Sequence, residues 1–270
     1  MKISSLSLLF LVSTLGSVLY GQAKGLLPMA KPEAVGLDPK KLEAVDEKME
    51  ALIEENRLNG GTVVIARKGK VAHFETYGLR NREEALPVEK DTIFRIYSMT
   101  KAITSVAALM LNEEGKLSLD DPLSKYFPSL KAMKVLDKDE LVDATSELTV
   151  ADLLRHTSGL TYAWSSNKKI RQALKDAGVL NRDKQLVPMV NGMDRVPLLF
   201  QPSSDWVYGC STDVLGGVVE VASGIPLDRF LKERILKPLH MEDTGFFVPA
   251  NKADRFAANY NYKNGKLTLK

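Results

Sequence analysis

Hydrophobic positions along the chain switch between helical and strand-like spacing. From residue 42 to 53, apolar side chains recur every three or four positions, which predicts a helix with one buried face. Asp38 and Pro39 come just before that run and favour a helix start, because aspartate caps free N–H groups and proline suits the first helical position. The β-branched run 62–66 and the run 71–77 then predict a β-hairpin.

The middle of the chain predicts one long helix and a group of shorter ones. Residues 92–97 have a strand-like pattern, and residues 98–114 have an amphipathic pattern that ends at Gly115, a natural C-cap. The spacing of Thr149–Asp152 matches a capping box and predicts a short helix. The polar but helical pattern of 164–196 predicts a small helical insert.

The last third of the chain predicts two helices and a second hairpin. Residues 212–222 form an apolar helical run, and residues 227–236 form another that Pro238 ends. Asn264-Gly265 is a strong two-residue hairpin turn. A hairpin, then helices, then another hairpin predicts an α+β fold.

Composition and charge limit the classes of function. The 270 residues are 44% hydrophobic and 26% charged, with a net charge of +3, which is ordinary for a globular protein. The charges alternate along the chain, so we expect no nucleic-acid partner, which would need a basic patch or stripe. Cys210 is the one cysteine, so the chain has no internal disulfide framework.

The first residues have the pattern of a secretory signal peptide. Lys2 provides a positive start, residues 6–20 form an uncharged apolar run, and Gly21 and Ala23 form a small-x-small cleavage signal. We therefore expect a signal peptide at 1–23, cut after Ala23, and a secreted or periplasmic protein. The apolar run is short for a bilayer span, so no stable membrane anchor is expected.

Ser98 and Lys101 form an S-x-x-K motif at the start of the predicted long helix. Spacing of three places both side chains on one helix face, where a lysine with a lowered pKa could activate a serine hydroxyl. The same spacing recurs at 165–168 and 166–169, in a polar stretch that predicts a solvated helix face. On spacing alone, Ser98 is equally well interpreted as an ordinary N-cap.

Tyr208 is the next candidate, in a segment rich in small and apolar residues. A tyrosine near a lysine can act as a general base and acid, although composition alone favours a half-buried core tyrosine. His156 is expected to order a turn after a short helix. The sequence contains no HExxH or CxxC motif, so no metal site is indicated, and it contains no GxGxxG or P-loop motif.

Five stretches together carry a family resemblance, in family order and with family-like spacing. They are residues 61–67, 91–101, 153–160, 206–216 and 238–247. The chain resembles the penicillin-binding-protein-like serine hydrolases, which include class C beta-lactamases, secreted DD-peptidases and family VIII carboxylesterases. The resemblance runs over almost the whole chain after the predicted signal peptide.

This resemblance implies specific roles and a specific architecture. It implies Ser98 as the acylated nucleophile, Lys101 as its activating partner and Tyr208 as the base, with a small-molecule ester or amide as substrate and no metal or cofactor. It implies an antiparallel sheet flanked by helices, with a mostly helical insert and the active site between them. Residues 24–270 would form one such domain.

Two departures from the family pattern alter the functional expectation. Cys210 stands where class C lactamases usually have an asparagine that holds the lactam amide, so we expect a carboxylesterase before a beta-lactamase or DD-peptidase. The third family motif, a Lys/His-Thr/Ser-Gly triplet, is not found, and residues 263–265 are the tip of a predicted hairpin. We therefore expect the C-terminal strands to be missing and the domain to be incomplete. A catalytically impaired remnant or a cell-wall-peptide binding module is the alternative, and nothing in the sequence indicates an oligomeric state.

The expected signal peptide gives a first testable prediction. When the full chain is expressed in a bacterium with a periplasm, the exported protein should begin at Lys24, because the small residues at 21 and 23 direct cleavage there. N-terminal sequencing of the periplasmic fraction measures this. Recovery of the protein in the cytoplasm with Met1 or Lys2 at its start would contradict the expectation.

Overall fold

The chain divides into two compact units. The computed structural model describes residues 27–163, 165, 167–179 and 185–270, so the predicted signal peptide lies outside the described residues. Of the described residues, those up to Thr92 and those of Ala258–Lys270 form the first unit, and those from Ile93 to Ala257 form the second. Within the described residues, no helix combines the length and the hydropathy that a membrane span needs. The expectation of one domain over 24–270 stays a prediction.

The first unit is built on a three-stranded antiparallel sheet. Helix α1 spans Pro39–Glu54, and Asp38 caps it by accepting a hydrogen bond from a backbone N–H, as predicted. Strands β1 (Gly60–Arg67), β2 (Lys70–Asn81) and β3 (Leu86–Pro87) follow in the order β1-β2-β3. The predicted hairpin is thus confirmed, with a third short strand added.

A buried polar cluster joins α1 to β2 in this unit. The Nε2 atom of His73 lies 3.0 Å from the Asp46 carboxylate on α1, and the hydroxyl of Tyr77 donates to the same carboxylate. Burial, reinforced by that hydrogen bond, raises the pKa of Tyr77. The contacts are those of a packed and hydrogen-bonded histidine.

The second hairpin also lies in the first unit. Strands β6 (Tyr260–Lys263) and β7 (Lys266–Leu269) pair in an antiparallel manner. Asn264 and Gly265 between them both have positive φ angles, of 51° and 78°. This is the backbone twist that an Asn-Gly hairpin turn requires, so the prediction is confirmed.

The second unit is mostly helical, as the sequence pattern predicts. Its helices are α2 (Thr100–Glu113), α3 (Val150–Arg155), α4 (Lys168–Ala177), α5 (Leu186–Asn191), α6 (Ser211–Ser223) and α7 (Leu227–Leu231), which continues as a π-helical turn, Lys232–Leu236. The described part of the predicted insert contains α4 and α5. Two short strands, β4 (Lys134–Asp137) and β5 (Glu140–Asp143), also pair here. The sequence pattern did not indicate them, because their turn contains no glycine or asparagine.

Helix α6 lies at the centre of the hydrophobic core. Val214, Leu215 and Val218 on it are fully buried, and α6 packs against α2, where Ala107 and Leu111 are fully buried too. Burying a valine or leucine side chain contributes about 1.5–3 kcal/mol. The α2–α6 contact therefore holds the first turns of both helices in place.

The predicted strand at 92–97 is wrong. Ile93 alone pairs with the chain near Phe256, through one hydrogen bond in each direction. The chain then enters a 3₁₀ turn at Tyr97–Met99, where Tyr97 has a positive φ of 42°. Such a φ departs from strand geometry, so extended pairing ends, and Ser98 lies in the turn before α2.

A capping box opens α3 as predicted, and its acidic member is the centre of a polar cluster. Asp152 is 2% exposed and accepts hydrogen bonds from Thr149, Thr157 and Ser203. Burial alone would raise the pKa of this carboxyl. The hydrogen bonds, that from Ser203 foremost, outweigh burial and hold the pKa of Asp152 below its usual range.

Asp152→Asn should destabilise the fold by about 2–3 kcal/mol at pH 7, because the amide brings donors to a site filled with donors. Since the folded pKa is depressed, the ionised carboxylate stabilises the fold above the unfolded pKa of about 4, and this stabilisation is lost as pH falls through the folded value. Urea unfolding at several pH values should show that the difference in free energy of unfolding between the wild type and Asp152→Asn becomes smaller in acid.

Asp137→Asn is the matched control, since Asp137 is exposed. It should change the free energy of unfolding by less than about 0.5 kcal/mol. If the free energies of unfolding of the wild type and Asp152→Asn differed by the same amount at every pH, ionised Asp152 would not be the source of the stabilisation.

Candidate active site

Ser98 and Lys101 are brought together by the turn that leads into α2. Ser98 lies in the 3₁₀ turn, Lys101 is in the first helical turn, and Lys101 Nζ is 3.5 Å from Ser98 Oγ. Ser98 is exposed and Lys101 is partly buried. Local geometry thus places the serine where a substrate can reach it and the lysine beneath it.

Tyr208 reaches the same place from a segment 110 residues further along the chain. Its hydroxyl lies 2.5 Å from Ser98 Oγ. The neighbouring Gly209 passes so close to Leu160 that a Cβ on it would lie 2.0 Å from the Leu160 carbonyl oxygen. This close backbone approach, which only glycine permits, fixes where Tyr208 lies. All three predicted site residues therefore meet in the second unit.

The surroundings of Tyr208 favour its ionised form. The hydrogen bond with Ser98 and the ammonium of Lys101 together hold the pKa of Tyr208 below its ordinary value. Lys101 Nζ lies 4.8 Å from the centre of the Tyr208 ring, within the range of a cation–π contact. A tyrosine whose pKa is lowered loses its proton more readily, and the resulting phenolate beside a serine is suited to accepting the serine proton.

Two residues that the sequence analysis did not select complete the polar cluster. Lys101 Nζ donates to the hydroxyl of Tyr162 at 3.3 Å, and that hydroxyl donates to Asp213 at 3.0 Å. Burial raises the pKa of Asp213, and the Tyr162 hydrogen bond and the Lys101 charge oppose the rise. The signal that could have identified Asp213 is its position as a lone carboxylate in the apolar run 211–219.

His156 supports Tyr208 from behind. It ends α3 in a left-handed conformation with a φ of 60°, and its Nδ1 accepts a hydrogen bond from the backbone N–H of Gly209. Its ring stacks on the Tyr208 ring, with 5.2 Å between centroids. Burial, and then the charge of Lys101, lower the pKa of His156. The expectation that this histidine orders a turn is confirmed.

Cys210 is placed in the core and not in the site. Its thiol is fully buried and donates to the carbonyl oxygen of Thr161 at 3.2 Å. Burial raises the pKa of the thiol, so the reactive thiolate is disfavoured.

The S-x-x-K spacing at 165–168 has a different structure from the one predicted. Ser165 is buried before α4, and its hydroxyl accepts a hydrogen bond from the Asn167 backbone. The predicted solvated face is therefore wrong for Ser165. Lys168 and Lys169 are exposed, and Ser166 lies outside the described residues.

A cavity of about 580 Å³ opens in front of Ser98. Carboxylates outnumber ammonium groups in its lining, since Asp213, Glu220 and Asp228 face it together with Lys101. Phe246 and Leu227 add apolar surface. Across the residues that the structure describes, no three His, Cys, Asp or Glu side chains are grouped as a metal site would need.

Comparison with known proteins identifies similar chains. Residues 45–269 match the family model described as Beta-lactamase. The chain is 35% identical over 235 residues to Esterase EstB of Burkholderia gladioli, with 85% of this chain and 57% of that protein covered. It is 33% identical over 219 residues to the lovastatin esterase of Penicillium rubens, with 78% and 54% covered. The chain thus spans about half the length of the curated relatives that it matches.

A solved structure shows the same architecture. The chain superposes on EstCE1, described as a hydrolase with promiscuous acyltransferase activity, with a TM-score of 0.74 and 27% sequence identity. The match covers 86% of this chain and 58% of that one. The fold implied by the sequence resemblance, a mixture of helices with a small antiparallel sheet, is confirmed.

Proposed function

This chain belongs to the beta-lactamase family, and from that premise we propose that it is a serine hydrolase that cleaves carboxylic esters through an acyl-enzyme on Ser98. One observation carries the proposal: Ser98 Oγ lies within hydrogen-bond reach of both Tyr208 and Lys101. Two relatives are named as esterases, which supports an ester substrate. We propose that the reaction takes place outside the cytoplasm, in line with the expected signal peptide.

The first half of the reaction forms the acyl-enzyme. Tyr208, as phenolate, takes the proton of Ser98 Oγ while that oxygen forms a bond to the ester carbonyl carbon. The carbonyl electrons move to the oxygen, which becomes an oxyanion. The ammonium of Lys101 offsets the negative charge that passes between these oxygens. Collapse of the intermediate expels the alcohol, which takes its proton from Tyr208.

The second half releases the acid. Tyr208, again a phenolate, accepts a proton from a water molecule as that water attacks the acyl carbon. The bond from the acyl carbon to Ser98 Oγ then breaks, and the serine recovers its proton from Tyr208. An alcohol in place of water would give acyl transfer by the same steps.

Two features favour neutral esters over lactams and peptides. Cys210 is buried and hydrogen-bonded to Thr161, so it offers no amide group to hold a lactam. Glu220 and Asp228 place carboxylates in the cavity. Beta-lactams and D-Ala-D-Ala peptides carry a free carboxylate of their own, and like charges repel at short range in a partly desolvated site.

Ser98→Ala should lower kcat for p-nitrophenyl butyrate by at least about 10³-fold, because the nucleophile is removed. A fluorophosphonate probe followed by peptide mass spectrometry should label Ser98 in the wild type alone. Ser129→Ala, an exposed serine bonded to Asn191, is the matched control and should keep full activity and labelling.

Each outcome of that experiment decides between the candidates. Turnover that persists in Ser98→Ala, or an adduct on another residue, would overturn the proposed nucleophile. Labelling of Ser98 without turnover of any ester would favour the alternative, an impaired chain or a binding module.

The substrate order is a separate prediction. Turnover of the butyrate ester should exceed that of nitrocefin and of a D-Ala-D-Ala peptide, each measured as kcat/KM at one pH and one salt concentration. Raising the salt concentration should increase kcat/KM for the two anionic substrates relative to that for the ester, since screening weakens the repulsion. A clear preference for nitrocefin would contradict the order.

A further inference from the structure

A line of polar contacts runs from the core to the nucleophile. The Asp213 carboxylate accepts from the Tyr162 hydroxyl at 3.0 Å, that hydroxyl accepts from Lys101 Nζ at 3.3 Å, and Nζ lies 3.5 Å from Ser98 Oγ. We propose that Asp213, acting through Tyr162, is a positioning residue that holds Lys101 as an ammonium group aimed at Ser98 and Tyr208. The inference rests on the function proposed above and adds two residues to it.

The direction of the hydrogen bonds supports this role. A tyrosine hydroxyl has one proton, and an ionised carboxylate can only accept. Asp213 therefore takes the Tyr162 proton, and the Tyr162 lone pairs face Lys101. If Asp213 donated instead, Tyr162 would accept from it, and the Tyr162 proton would be free to turn towards Lys101. Two hydrogen-bond donors, the Tyr162 hydroxyl and the Lys101 ammonium, would then face each other.

Lys101 needs such a partner because a lysine side chain is flexible. It carries three donors on a four-carbon stem and loses about 2 kcal/mol of rotamer entropy when fixed. Nζ lies near two aromatic rings, 4.8 Å from the centre of Tyr208 and 5.6 Å from that of Tyr162. One N–H committed to Tyr162 leaves the others directed towards Ser98 and Tyr208.

Asp213 is mounted on a helix that packs in the hydrophobic core of the second unit. It is in the first turn of α6, next to Val214 and Leu215, which are fully buried. The titratable groups that face the carboxylate are Lys101 from α2, Tyr162 and His156 from the segments around α3, and Tyr208 and Cys210 from the segment before α6. Lys101 is the one of these groups whose ordinary state at neutral pH is cationic.

A purely structural role for Asp213 would have different consequences. An aspartate in the first turn of a helix stabilises that helix through the dipole alone. Its loss would then lower stability without changing the catalytic rate of correctly folded molecules. The test must therefore measure more than stability.

The experiment compares Tyr162→Phe and Asp213→Asn with the wild type, using p-nitrophenyl butyrate and rates normalised to sites titrated with the fluorophosphonate. Both variants should lower kcat by about 10- to 100-fold with KM within about threefold, because the lost contact orients a group that acts in the transition state. The matched control is Tyr126→Phe, since Tyr126 donates to Asp121 at 2.5 Å outside the cavity lining. It should leave kcat unchanged.

The pH profile supplies the readout that a structural role would not move. Activity requires Tyr208 deprotonated and Lys101 protonated. Asp213→Asn removes a negative charge that raises the pKa of Tyr208, so the acidic limb of the bell-shaped profile should move to lower pH. Tyr162→Phe keeps that charge, so its acidic limb should move less while kcat still falls.

A measurement that needs no turnover separates this inference from the proposed function. In lysine-selective ¹⁵N NMR spectra, with the Lys101 signal assigned from Lys101→Arg, that signal should change position in Tyr162→Phe and Asp213→Asn, because the hydrogen-bond partner of Nζ is lost or altered, and stay in place in Tyr126→Phe. An unmoved Lys101 signal in both variants, or an unchanged kcat in both, overturns the positioning role. A wild type without Ser98-dependent hydrolysis overturns the proposed function, while the NMR result still decides the role of Asp213.

Discussion

The contact between α2 and α6 is the constraint on which the site depends. The first turn of α2 carries Lys101, with Ser98 just before it, and the first turn of α6 carries Asp213, with Tyr208 just before it. Fully buried aliphatic side chains fill the space between the two helices. Because a packed interior tolerates little displacement, fixing this helix pair fixes the distances among four polar groups.

The ammonium of Lys101 is the charge that the other polar groups of the site contact. Lys101 is within reach of the hydroxyls of Ser98 and Tyr162 and lies over the ring of Tyr208. A charge placed among hydroxyls in a partly buried site acts more strongly than in water. The same ammonium lowers the pKa of Tyr208 and offsets the charge of Asp213. Nucleophile, base and partly buried acid are therefore coupled through a single side chain.

Local features of the fold followed directly from short stretches of sequence. The Asp38 cap, the Thr149–Asp152 capping box and the Asn264-Gly265 turn each depend on residues within four positions of one another, and each is confirmed. The strand predicted at 92–97 failed because strand pairing needs a distant partner, and only Ile93 finds one. The prediction that Ser165 lies on a solvated helix face failed for a similar reason, because burial of a side chain depends on which other segments pack over it.

The sequence by itself selected Ser98 and Lys101 as neighbours, because a spacing of three within one turn brings both side chains to the same face. It also identified Tyr208, through the family resemblance of its segment. Only the tertiary structure decided that Tyr162 and Asp213 join them, since 51 residues separate the two and their contact exists only after α6 packs into the core. Burial and hydrogen-bond direction, which give Asp213 its role, are properties of that packing.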